Sequence, residues 1–293
     1  MEGPGAGCAP ERNGVIRRAQ PIRVRPLEPG RIELWCAFLP DLDAERLEEV
    51  YAALLTEAER ARQRRLRFAE DRRRDLAARV LVRTVLSRYA SVPPETWVFG
   101  VDARGRPRIV APQPATPLQF NIAHSGDLVV VGVAPGNPLG VDVEQLARRT
   151  DTTRLERYFA PLEIRQMRAL PARARRLRFF ELWTLKESYL KARGVGLRMP
   201  LHSLAFEFPG PGAVRMSLAA AVPDRASRWA FAQFTLRDEY MLAVCAERAG
   251  LQPLQLAVHE VVPLGSQRRL APRLARANGI EAASPAGMAE SGS

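Results

Sequence analysis

Two short stretches carry most of the groups that could do chemistry. The first is 139-LGVDVEQL-146. Read as a strand, it sends alternate side chains to opposite faces, so Asp142 and Glu144 share one face and Val141 and Val143 the other. The Cα atoms of the two acids would lie about 6.6 Å apart. Two carboxylates so close repel unless something positive sits between them. A hard divalent cation such as Mg2+ suits the pair, because it takes few carboxylates and completes its shell with water and phosphate oxygens. A solvated face of an edge strand shows the same D-x-E pattern, so the pair alone leaves both readings open.

The second stretch is 181-ELWTLKESYLKARGVG-196. The chain has 44 basic residues, and Lys186 and Lys191 are its only lysines. The apolar spacing of Phe179, Leu182, Trp183 and Leu190 predicts a helix that stops at Gly194 and Gly196. Trp183, Glu187 and Lys191 then fall on one stripe. Glu187 and Lys191 have the favoured order for a helical ion pair, worth about a few tenths of a kcal/mol if exposed. Arginine would serve such a pair equally well. A side chain that must titrate cannot be arginine, because guanidinium keeps its proton. That points to chemistry at Lys191 first and Lys186 second. A third stretch, 120-FNIAHSGDL-128, holds His124, one of three histidines. Turn N–H groups there could receive a phosphate and the imidazole could add a donor; a histidine that simply holds a hairpin turn is the other reading. The sequence 104-RGRPR-108 reads as a basic turn.

The rest of the chain must position these groups. Its 293 residues, 46% hydrophobic, can bury a sizeable core in one large or two medium domains. The net charge of +12 implies anionic partners without choosing among them. Cys8, Cys36 and Cys245 form no CxxC or paired spacing, so neither a zinc site nor a disulfide framework is expected. The first thirty residues lack a signal-peptide core and no apolar run is long enough to span a membrane, so a cytoplasmic protein is expected. Residues 1–30 and 265–293 are rich in Gly, Pro, Ala, Ser and Arg and read as disordered tails.

The body, 31–264, reads as a duplication. RRLRF occurs at 64–68 and at 175–179, and the same offset brings 128-LVVVGV-133 onto 239-EYMLAV-244. The segments 97–110 and 204–218 both read as strand pairs about a Gly/Pro turn. Each half therefore runs helix, hairpin, hairpin, which gives subdomains at 31–136 and 137–264 with a cleft between them. A long basic helix over 57–89, broken near Phe68, buries one face through Leu76, Val80 and Leu86.

Taken together these segments resemble the 4'-phosphopantetheinyl transferases, in their larger two-subdomain, surfactin-type branch. The resemblance rests on Gly105-Arg106-Pro107, on Phe120 to Gly126, on Leu139-Gly140-Val141-Asp142-Val143-Glu144 and on Trp183 to Lys191, and it covers roughly 31–247. It implies an α+β fold of two similar subdomains about a pseudo-twofold axis. It implies transfer of phosphopantetheine from coenzyme A to a serine of an apo acyl or peptidyl carrier protein, with release of 3',5'-ADP. Asp142, Glu144 and Glu187 would then hold Mg2+. Glu187 would also take the serine proton, and Lys191 would serve the leaving phosphate. Arg62, Arg74, Arg106, His124 and Lys186 would bind the coenzyme. One chain would suffice, and acidic carriers would suit the basic surface. Ala123 stands where the family has a small hydroxyl residue, and Asp75 follows Arg74 where an acid is unfavourable to phosphate.

Two rivals are weaker. The common metal-dependent nuclease pattern needs a lysine two residues after an acid, and Thr184 and Tyr189 occupy those places. A nucleic-acid binder would want aromatic residues through the basic helix, which offers only Phe68 and Tyr89, and it leaves the three acids without a purpose.

Overall fold

The computed structural model describes residues 24–43, 47–148, 156–248 and 250–283; the rest of the expected tails lies outside the described residues. The chain begins with β1 (Arg31–Phe38), α1 (Glu57–Arg64) and α2 (Ala69–Leu86). The hairpins β2 (Val98–Val101) with β3 (Pro107–Ala111) and β4 (Leu118–Ser125) with β5 (Leu128–Pro135) follow. It then repeats that order. There is a strand, β6 (Leu139–Gln145), and two helices, α3 (Pro161–Arg168) and α4 (Ala172–Arg193). Next comes a hairpin of β7 (Leu204–Glu207) and β9 (Arg215–Leu218) around the short β8 (Gly212–Ala213). The hairpin β10 (Trp229–Leu236) with β11 (Tyr240–Glu247) completes the unit. The last strands are β12 (Leu254–Val261), β13 (Gln267–Leu270), β14 (Arg273–Asn278) and β15 (Ile280–Ala282).

The two units build equivalent sheets. In the first, β5 lies between β1 and β4; in the second, β11 lies between β6 and β10, and all four pairings are antiparallel. Strand β12 returns to the first sheet, parallel to β1, and carries β13 and β15 on its far side; β14 extends the second sheet beside β10. The fold is α+β, with two sheets face to face and a long helix on each outer face. Period-2 alternation decides which residue goes where. Ile32, Leu34 and Cys36 of β1 and Leu242 and Val244 of β11 fill the space between the sheets. Trp35 and Ala37 turn outward onto α2 with Leu76, Val80 and Leu81, while Met241, Ala243 and Cys245 turn outward onto α4 with Phe179, Leu182 and Leu185.

An ion pair ties the short helix to the long one in both units. Thr56 caps α1, and Glu59, at the third helical position, reaches back to its N–H. The same carboxylate takes Arg83 of α2 at 2.6 Å. In the second unit Glu163 of α3 accepts from the Ala160 N–H and pairs with Lys186 of α4 at 2.7 Å. Arg83 and Lys186 are therefore equivalent. The two RRLRF copies are not: the first covers the end of α1 and the break before α2, and the second lies inside α4.

Two expectations about the ends need correction. Residues 24–30, assigned to a loose tail, join the body: Leu27 is buried, the Arg25 N–H bonds to the Arg88 carbonyl at 2.8 Å, and the Arg25 guanidinium pairs with Glu33. Residues 265–283, also assigned to a tail, form β13, β14 and β15. Strands β13 and β14 carry arginines in place of the apolar alternation that marks an inner strand, and β15 is only three residues long. Arg268 pairs with Glu260 of β12, and Arg276 with Glu181 of α4. Among the described residues no helix is long and apolar enough to cross a membrane.

Candidate active site

The site is set by one close approach. A Cβ on Gly140 would lie 2.0 Å from the Ser188 carbonyl oxygen and 2.3 Å from the Ala192 nitrogen. Only glycine lets β6 touch the backbone of α4. On the residues that follow, Val141 and Val143 face the other sheet, and Asp142 and Glu144 face the helix side. The helix answers with Glu187 and Lys191, one turn apart. Lys191 Nζ donates to Asp142 Oδ1 at 2.6 Å and to the Val141 carbonyl at 3.0 Å. Gly194, left-handed at φ 62°, ends the helix directly below.

The acids are under strain of charge. Burial pushes Asp142 up to about 7; Lys191 pulls against that shift, and the charges of Glu187 and Glu144 add to it. Burial also raises Glu187, with Lys191 opposing and Glu144 reinforcing. Among the described residues, Asp142 Oδ2 is buried without a hydrogen-bond partner. Glu144 accepts from Ser125 Oγ at 2.9 Å and from Arg148 at 3.3 Å. Among the described residues no three His, Cys, Asp or Glu side chains converge closely enough to form a ready-made metal cage. The donor set is nonetheless the kind a hard cation takes: three carboxylates within one another's field, one of them with an unsatisfied oxygen.

A cavity of about 220 Å³ opens beside these groups, between the β2–β3 turn, β4 and α4. Glu187, Lys191 and Arg106 line it together with Asn121. Arg106 spends its two terminal nitrogens on the Ala192 and Leu139 carbonyls, 3.0 Å each, and so pins the turn to α4 and β6. His124 lies near the end of β4 and is exposed. Partial desolvation lowers its pKa, and so do the nearby Arg74 and Lys191 cations. Arg74 itself donates to the Gly126 carbonyl in the β4–β5 turn and pairs with Asp71. Asp75, next to Arg74, pairs with Arg79 at 2.8 Å.

Of the residues expected at the site, Asp142, Glu144, Glu187, Lys191, Arg106, Arg74 and His124 gather around this corner. Arg62 is exposed on α1 and shares no described contact with them. Lys186 is a correction. Expected to bind the coenzyme, it is fully buried on the opposite side of α4, where Nζ meets Glu163 at 2.7 Å, the Leu201 carbonyl at 2.8 Å and the Leu204 carbonyl at 2.5 Å. Three acceptors around one ammonium fit lysine's three donors. Among the described residues, the equivalent Arg83 leaves Nε and Nη1 without partners, which gives a structural reason for lysine here. Sequence reasoning also missed Asn121 and Ser125, although their segment had been singled out for His124.

Comparison with known proteins gives the family. Residues 138–245 match the 4'-phosphopantetheinyl transferase superfamily and residues 45–136 match the N-terminal region of 4'-phosphopantetheinyl transferase. The 4'-phosphopantetheinyl transferase psf-1 of Bacillus pumilus is 30% identical over 210 residues, 72% of this chain and 86% of that protein. A 4'-phosphopantetheinyl transferase of Bacillus subtilis is 33% identical over 206 residues, 70% of this chain and 87% of that protein. HetI of Nostoc is 31% identical over 223 residues, 76% of this chain and 90% of that protein. With its duplicated α+β unit and a single acidic corner on the second copy, the chain belongs to the 4'-phosphopantetheinyl transferase superfamily and is an enzyme of that kind.

Proposed function

We propose that the enzyme moves phosphopantetheine from coenzyme A to a serine hydroxyl of an apo acyl or peptidyl carrier protein and releases 3',5'-ADP, in a reaction that needs Mg2+. The observation that carries this reading is the seating of α4 on Gly140, which brings Glu187 and Lys191 over Asp142 and Glu144 at the mouth of a cleft. Asp142, Glu144 and Glu187 would hold the ion, Asp142 through its unpartnered oxygen. When bound, Mg2+ supplies positive charge to the pyrophosphate and lowers the cost of charge build-up in phosphoryl-type transfer.

The chain's own groups supply the rest. The serine oxygen forms a bond to the phosphorus that carries the pantetheine, and the bond from that phosphorus to the ADP oxygen breaks. Glu187, its pKa raised by burial, would accept the serine proton directly or through water. Lys191 meets the charge that develops on the leaving phosphate. His124 and Arg74 would receive the 3'-phosphate, and Arg106 fixes the turn that walls the cleft. Both sides of the cleft come from one chain, so a monomer suffices, and the net charge of +12 favours encounter with acidic carriers.

The test is to incubate the protein with coenzyme A, Mg2+ and an apo carrier and follow 3',5'-ADP by chromatography. Release that needs the carrier, and stops on chelation or with Lys191→Met, supports the reading. Release without a carrier, or none with any carrier class, overturns it.

A further inference from the structure

Strand β6 holds both site acids, yet among the described residues only one of its edges is in a backbone ladder, with β11. Its other edge faces β4, which belongs to the other sheet. Two side chains of β4 stand in for the missing ladder. Asn121 Oδ1 accepts from the Val141 N–H at 2.8 Å, and Ser125 Oγ accepts from the Gln145 N–H at 3.0 Å. Asn121 and Ser125 are four apart on β4, and Val141 and Gln145 are four apart on β6, so the two side chains share one face of β4 and the two amides one edge of β6. Both side chains are buried, at 7% and 5% exposure, so their bonds do not compete with bulk water. Asp142 and Glu144 lie between the anchored amides. Ser125 does more than hold backbone: its hydroxyl proton goes to Glu144 Oε2 at 2.9 Å. One hydroxyl thus fixes the strand and aims the acid.

The middle position of this series is Ala123, opposite Val143. By the two-residue period, the Val143 amide points toward β4 as those of Val141 and Gln145 do. A methyl offers it no acceptor.

We propose that Asn121 and Ser125 are positioning residues for this enzyme, a side-chain ladder that seats Asp142 and Glu144, and that Ala123 is a vacant rung which a hydroxyl would complete. The claim about catalysis rests on the transferase reading; the claim about the ladder does not. Partners that orient metal-ligating groups typically matter by about 10- to 100-fold when removed.

The experiment pairs steady-state kinetics with amide hydrogen exchange on Ser125→Ala, Ser125→Thr and Ala123→Ser. Ser125→Ala is expected to lower kcat by about 10- to 100-fold with the KM for carrier nearly unchanged, and Ser125→Thr to restore most of it. Gln145 exchange should quicken in Ser125→Ala and return in Ser125→Thr, and Val143 exchange should slow in Ala123→Ser. Unchanged kcat in Ser125→Ala, with the wild type active, overturns the positioning role alone. Unchanged exchange at Gln145 and Val143 overturns the ladder. A wild type inactive on every carrier sinks the transferase reading, while the exchange data still decide the ladder.

Discussion

Lys186→Met is the substitution that most sharply separates a structural lysine from a coenzyme-binding one. Lys186 and Glu163 are both fully buried, 2.7 Å apart. Removing the ammonium leaves Glu163 with the Ala160 and Phe206 amides but no cation, and strips a donor from the Leu201 and Leu204 carbonyls. Breaking one side of a buried pair costs about 3–5 kcal/mol. At about 2–4 °C per kcal/mol for a protein approaching this size, Tm should fall by roughly 6–20 °C. The loss should depend on pH. Burial already raises Glu163, and without Lys186 its folded pKa rises further above the unfolded value. A carboxyl raised on folding favours the native state below its unfolded pKa and loses that benefit as pH climbs through the folded pKa. The variant should therefore suffer least near pH 5 and most near pH 8, and Lys186→Met with Glu163→Gln should recover part of the loss. Urea unfolding at both pH values, with coenzyme A binding by calorimetry, is the assay. A variant with wild-type stability and lost coenzyme affinity would refute the reasoning and return Lys186 to the binding site.

Gly140→Ala puts a methyl into the backbone of α4; transfer should fall steeply and unfolding should show a loss of about 1–3 kcal/mol or more, as overpacking does. Glu33 is depressed to about 2: burial opposes this, but His259, Arg25 and Arg31 outweigh it. A depressed acid stabilises above its unfolded pKa and loses that as pH falls, so about 3 kcal/mol should disappear between pH 4.5 and 2, and Glu33→Gln should flatten that limb of the acid titration. Asp142, pushed up to about 7 by burial, costs stability once ionised. Asp142→Asn should raise the Tm of metal-free protein above pH 7 while abolishing transfer, and a lower Tm there would contradict the assignment of strain.

Much of the site was legible because its signals are local. The D-x-E alternation of β6 and the stripe of Trp183, Glu187 and Lys191 both follow from the period of one element. Lys186 was misplaced against a signal of the same kind. It lies five residues from Lys191, about 140° around the helix, among Leu182, Leu185, Tyr189 and Leu190 on the buried face. The duplication was legible as an order of elements. RRLRF was a poor guide to register, because identical residues end a helix in one copy and lie within one in the other. Invisible from sequence were contacts that join distant strands, such as Asn121 to Val141 and β12 to β1. The equivalence of the units also shows that, among the described residues, the acidic corner of the second unit has no copy in the first. Where the second unit has Asp142 and Lys191, the first has Trp35 and Arg88, with the guanidinium 4.6 Å above the indole ring.

The central claim is tested most directly by the intact mass of a carrier. An apo acyl or peptidyl carrier incubated with the protein, coenzyme A and Mg2+ should gain the mass of one phosphopantetheine on its serine, and should gain nothing with Glu187→Gln or with a chelator. A folded wild-type protein that leaves carriers of both classes at their apo mass, or a Glu187→Gln variant that modifies them at the wild-type rate, would contradict the account.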